Sequence, residues 1–184
     1  MATTLPGTTI EVSGITKGVS RSLFDGMFAA GGITLAQVSV MTGLEPYLIQ
    51  NWIKRGFVSP PMKRQYSKNQ FARIVIINML RESLHLDRIC KLLSYINGSL
   101  NDESDDLIGD SELYHMYVDL IAIDGGGMGD SRAMHASVQQ VIGAYEEPMP
   151  GARERLAKIL QVMAHAHFAT LSRQAAEELL SRLE

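Results

Sequence analysis

Four polar residues, Tyr47, Gln50, Asn51 and Lys54, stand at spacings of i, i+3, i+4 and i+7, so a helix would carry them on one face. Their chemistry suits duplex DNA. Gln and Asn can each bond an adenine edge twice, Tyr can stack or bond a phosphate, and Lys neutralises the backbone. A solvated polar face is also what most amphipathic helices have, so the face decides nothing by itself. Its surroundings tilt the balance: from Pro46 through Arg81 the chain holds seven basic residues (Lys54, Arg55, Lys63, Arg64, Lys68, Arg73, Arg81) and no Asp or Glu. From Asn101 through Asp130 there are nine acidic residues and no Lys or Arg. Such a division suggests one surface for a polyanion and another that avoids it.

Other chemistry is poorly supported. No nucleophile has a matched base, no carboxylates are paired in a defined setting, and no cofactor motif is present, so neither an enzyme nor a cofactor is expected. Gly125-Gly126-Gly127-Met128-Gly129 invites a phosphate-loop reading, but no Gly-Lys-Ser/Thr follows it, and a helix connector fits better. His165 and His167 are two apart, which places them on different faces of a helix. With His115, His135 and Cys90 they supply metal-ligand types without ligand spacing, and no metal is expected. The single cysteine cannot form an internal disulfide, which points to a reducing cytoplasm. No signal peptide or membrane-length apolar run is visible.

The elements that must position the polar face can be read from local signals. Met1 to Ser20, rich in Thr, Ser and Gly, is expected to be extended or mobile, and Ser22 to Ala30 a short helix with Leu23, Phe24 and Met27 on one side. Thr34 can cap a helix to about Met41, with Leu35 and Val38 facing inward. Gly43 provides the positive φ of a tight turn, and Pro46 suits the first position of a second helix. Leu48, Ile49, Trp52 and Ile53 form the buried stripe of that helix. After Gly56, Phe57-Val58-Ser59-Pro60-Pro61 must leave the helix. Met62 to Tyr66 then reads as a small β-wing with Lys63 and Arg64 near its tip. Ser67 and Gln70 form a capping-box signature for a strongly apolar helix from Lys68 to about Glu82, expected to be buried on more than one side. Leu86 to Ile96 forms a further short helix, closed by Asn97 and Gly98.

This order of parts resembles the MerR-type helix-turn-helix family of bacterial transcription regulators. The resemblance rests on Thr42-Gly43-Leu44, Ile49, Trp52, Gly56-Phe57-Val58-Ser59-Pro60-Pro61, Arg64-Gln65-Tyr66-Ser67 and Ile89-Cys90-Lys91-Leu92-Leu93. It covers about Ile33 to Ile96 and looks closest to an uncharacterised MerR-like group with a helical C-terminal extension. It implies a two-helix DNA reader with a wing. The second helix departs from the family's usual Thr-Ile-Arg-Tyr-Tyr: here Leu48-Ile49-Gln50-Asn51-Trp52 puts Gln50 where an arginine contact is usual. The expected DNA-contacting set is Thr34, Tyr47, Gln50, Asn51, Lys54, Arg55, Lys63, Arg64, Gln65 and Tyr66.

In the second half, Ser99 to Asp110 reads as an acidic linker. A helix through Leu113, Met116, Tyr117, Leu120 and Ile121 follows, then another from Ser131 to Glu147. The last helix runs from about Ala152 almost to Glu184. Its seam includes Leu156, Leu160, Met163, Leu171, Leu179 and Leu183, and its length suits a dimer contact. The whole is expected to be all-α: a flexible segment over 1–21, a MerR-like winged helix-turn-helix domain over 22–98, and a helical dimerisation or effector domain over 99–184. The leading expectation is a cytoplasmic homodimeric regulator that binds double-stranded DNA, associated with the nucleoid when bound, without membrane contact, and open to a small-molecule or protein effector in its C-terminal half. The alternative is a protein-interaction module in which Trp52 and Tyr47 anchor a partner.

Overall fold

The computed structural model describes residues 3–98, 106–124 and 131–183. The glycine run Gly125–Gly129 and most of the acidic linker therefore lie outside the described residues. The fold is largely helical, with short strands as fasteners.

One helix organises the rest. α4 (Lys68–Leu80) opens at Ser67, whose hydroxyl accepts from the Gln70 backbone N–H, while the Gln70 side chain reaches back to the Ser67 N–H. Every residue from Phe71 to Ile77 is buried, as are Met79 and Leu80. Burial around the whole circumference requires neighbours on several sides. α4 packs against α2 (Leu35–Thr42), α5 (Leu86–Asn97), α6 (Asp110–Asp124) and α8 (Ala152–Ser181), most extensively against α6.

The N-terminal segment is extended but not loose. β1 (Thr3–Thr4) and β2 (Glu11–Val12) pair as an antiparallel hairpin whose turn packs on α4. Leu5 is fully buried, Tyr114 donates to the Pro6 carbonyl at 2.8 Å, and Asn78 donates to the Gly7 carbonyl at 3.0 Å. Gly7 sits at φ 75°, and a Cβ there would come within 2.5 Å of the Val75 carbonyl oxygen. Only glycine allows this approach. The lead-in expected to be flexible over residues 1–21 is thus, from Thr3 onward, anchored on the core through the buried Leu5 and Pro6.

α1 (Val19–Met27) covers α6 through Phe24, which stacks on Tyr114 at 5.3 Å and meets Phe71 at 5.1 Å. α7 (Ser131–Val141) is followed by a 3₁₀ turn, Ile142–Ala144, so this helix ends earlier than the expected Glu147. Arg153 donates to the Ile142 carbonyl at 2.7 Å and also to that of Tyr145, which holds the turn against α8. One hydrophobic cluster runs from Leu5 through Ile33, Trp52, Ile76 and Leu93 to Leu120, Leu160 and Phe168. The expected boundary between 98 and 99 therefore does not separate two cores.

α8 is two things in one helix. Leu156, Leu160 and Met163 are fully buried in this chain's own core, whereas every residue from Leu171 to Leu183 is exposed. The expected dimer seam is corrected accordingly: Leu156, Leu160 and Met163 are already covered and cannot meet a partner. Leu171, Leu179 and Leu183 remain available. Among the described residues no helix is long and apolar enough to cross a membrane.

Candidate functional site

The outward polar face is present as spaced. α3 (Pro46–Lys54) starts on Pro46 and buries Ile49 and Trp52, with Leu48 and Ile53 half-buried beside them. Tyr47, Gln50, Asn51 and Lys54 are all exposed. α2 precedes it across Gly43, whose φ of 68° ends α2 in the left-handed conformation. Thr34 caps α2 in a full capping box with Gln37: its hydroxyl accepts from the Gln37 N–H at 3.3 Å, and the Gln37 side chain accepts from the Thr34 N–H at 2.8 Å. The Thr34, Gln37 spacing announces this box in the sequence.

The short basic connection is a tight hairpin. Met62 and Gln65 bridge, with the Gln65 N–H donating to the Met62 carbonyl at 2.9 Å. Lys63 and Arg64 form the two-residue turn at φ 50° and 64°, the backbone of a type I′ turn. β4 (Gln65–Tyr66) then pairs with β3 (Ile33–Thr34), placing Thr34 opposite Gln65. The N-cap of α2 and the basic turn are thereby tied together, while α3 packs on α2.

Gln70 locks the exit from α3 to this hairpin. Its side-chain NH₂ donates to the Ser59 carbonyl at 3.1 Å and the Pro60 carbonyl at 2.9 Å, while its other end completes the α4 cap. The capping signature pointed to only half of this role.

Several expected contacts fall elsewhere. Tyr66 is 2% exposed, and burial pushes its phenol pKa up, so it is a core residue rather than a DNA contact. Trp52, also 2% exposed, cannot anchor a partner, although Tyr47 at 64% can. Arg73 of the basic run is buried: Nη1 pairs with Asp110 at 3.1 Å and Nε donates to the Phe57 carbonyl at 2.8 Å. Arg55 is exposed but lies 4.4 Å over the Phe57 ring and 3.5 Å from Asp87. Lys68 pairs with Asp25. Among the described residues, Lys54, Lys63 and Arg64 have no acidic partner. Val40 and Met62, 75% and 79% exposed, add apolar surface that periodicity did not single out.

The histidines are packed or solitary. His115 is buried between Ser20, bonded at 2.9 Å, and the edge of Phe24. Burial, with the nearby Arg21 guanidinium, pushes its pKa down to about 4. His167 bonds the Tyr117 hydroxyl, and burial lowers its pKa too. Among the described residues no group of three or more His, Cys, Asp or Glu could hold a metal ion.

No curated protein and no solved structure matches the chain. A family model described as a domain of unknown function, DUF1836, matches residues 33–117, from the first residue of β3 to the middle of α6.

Proposed function

We propose that the chain is a sequence-specific double-stranded DNA-binding regulator that acts as a cytoplasmic homodimer. One observation carries this reading. The four-residue face of α3 is wholly exposed, and the nearby basic turn presents Lys63 and Arg64 without acidic partners among the described residues. α3 supplies Gln50 and Asn51 to base edges in the major groove, Tyr47 and Lys54 to the flanking phosphates, and the hairpin grips the backbone alongside. Thr34 and Gln65 stand opposite each other where a phosphate would meet the N-terminus of α2. The resemblance of Ile33 to Ile96 to MerR-type readers supports the same docking, with a different set of base-reading side chains.

The test is a titration of labelled duplexes selected from random DNA. Lys63→Ala with Arg64→Ala should weaken binding to all sequences alike and, with two charges lost from each subunit of the dimer, reduce the slope of log K against log salt by about 3–4. Gln50→Ala or Asn51→Ala should instead relax discrimination at one position by roughly 1–3 kcal/mol. Affinity and preference unchanged in every variant would sink the proposal.

A further inference from the structure

Between the N-terminal hairpin, the C-terminal end of α4 and the second half of α8 lies a cavity of about 510 Å³. His167 forms part of its wall, and its neighbour decides which edge of the ring faces the space. Tyr117 is fully buried, and among the described residues His167 Nδ1 is the one hydrogen-bond partner of its hydroxyl. A buried phenol needs an acceptor for its proton, so Tyr117 donates and Nδ1 is the bare nitrogen of the ring. Burial lowers the imidazole pKa, so the ring is neutral at pH 7 and its proton sits on Nε2. That N–H has no partner among the described residues. It is not sealed from solvent either: the one partnerless polar side-chain atom so sealed among the described residues belongs to Asn97. Tyr117 lies outside the cavity wall while His167 lies in it, so the Nε2 edge is the one that opens there.

We propose that this cavity binds a small organic carboxylate, which accepts a hydrogen bond from His167 Nε2–H and has its charge countered by Arg81. The unpaired group is a donor, so it selects an acceptor. The sign of the charge follows from the two ionised side chains in the wall, Arg81 and Glu82. Glu82 is engaged by Arg173 at 2.6 Å, whereas Arg81 has no acidic partner among the described residues. The Arg81 guanidinium is held through Nε, which donates to Asn78 Oδ1 at 3.0 Å, and this leaves both Nη groups for a ligand. An anion is therefore favoured and an ammonium repelled. Pro6, Ile15, Met79 and Leu171 line the same space and suit a short carbon chain. The volume matches ordinary small-molecule sites. Asn78 also donates to the Thr42 carbonyl at the end of α2 at 3.0 Å, so occupancy would bear on that element, but binding itself does not depend on the DNA reading.

The experiment is NMR titration of the full chain with hexanoate, beside n-hexanol and n-hexylamine as neutral and cationic probes of equal chain length. Before any ligand is added, long-range proton–nitrogen spectra should show His167 protonated on Nε2 and bare at Nδ1, and the opposite tautomer would overturn the proposal. Hexanoate should then shift the His167 ring nitrogens saturably, hexanol more weakly, and hexylamine not at all. Arg81 is exposed, so Arg81→Gln leaves the core intact. His167→Asn removes the Nε2 donor while its side-chain oxygen can still serve the Tyr117 hydroxyl. Each should weaken hexanoate about tenfold or more. If the melting curve shows that His167→Asn does not fold, Arg81→Gln decides alone. Equal responses to all three probes, no saturable response to hexanoate, or undiminished affinity in either folded variant would sink the proposal and leave His167 Nε2–H served by solvent alone. No DNA enters the titration, so its failure is separable from that of the proposed DNA binding.

Discussion

Arg73 and Asp110 meet with side chains only 7% and 11% exposed, so neither charge can fall back on water. Removing one partner of such a pair leaves the other buried and uncompensated, which costs about 3–5 kcal/mol. Arg73→Met should lower the urea midpoint accordingly, and Arg73→Met with Asp110→Leu should recover much of the loss. His115 supplies a second residue-level expectation. Its proton is disfavoured in the folded state, where the pKa is about 4, against roughly 6.5 in the unfolded chain. As pH falls through this window the unfolded chain takes up a proton that the folded one refuses, so stability is lost. Charged groups surround it, Arg21, Glu112, Lys68 and Asp25; hydrogen bonds from Arg21 and Lys68 hold the Glu112 and Asp25 carboxyls below the usual range. The wild type should therefore lose on the order of 2 kcal/mol between pH 7 and pH 4.5 from this residue, and His115→Gln should flatten the dependence in thermal melts. A slope unchanged by the substitution would assign the acid sensitivity elsewhere.

The turn at Lys63–Arg64 is the element in which local stability and the proposed binding pull apart. Both residues hold positive φ, where Asn and Gly are at ease and long side chains are not. Lys63→Asn with Arg64→Gly should stabilise the chain by about 1 kcal/mol in denaturant melts, while weakening DNA binding as much as the double alanine variant does. A loss of stability would mean that the charges, rather than the backbone, hold the turn. The elements with local signatures were legible in the sequence: Gly43 and Pro46 punctuate α2 and α3, Ser67 with Gln70 opens α4, and the i, i+3, i+4, i+7 face emerges intact. What was hidden depends on partners far along the chain. Leu5 is buried beside Pro6 and Gly7, which Tyr114 of α6 and Asn78 of α4 hold, and Arg73 pairs with an aspartate 37 positions away; neither leaves a periodic mark. Tyr66 alternates with exposed neighbours like any strand residue, so only the pairing of β4 with β3 shows that it faces inward.

At the scale of the molecule, the regular leucine spacing of α8 conceals a change of partner. Up to Thr170 the helix packs on its own chain. From Leu171 onward it is exposed all round, and among the described residues Arg173 with Glu82, at 2.6 Å, ties it to the body. An isolated helix of this length is marginal in water, and the proposed homodimer would cover it with a second copy. For the proposed homodimer, one arrangement to test is an antiparallel pair with its two-fold axis at Ala175. Residues equally far on either side then face each other, setting Leu171 against Leu179 of the partner subunit. The alanine at the centre lets the axes approach closely. With Cys90→Ser to remove the native thiol, Ala175→Cys should oxidise to a covalent dimer, because only at the axis do identical positions come within disulfide reach. Leu183→Cys should not. A parallel pair would cross-link at both positions, and a monomer at neither. Leu179→Asp should shift the elution volume of the otherwise native chain to that of a monomer, and weaken DNA binding by removing the second half-site contact.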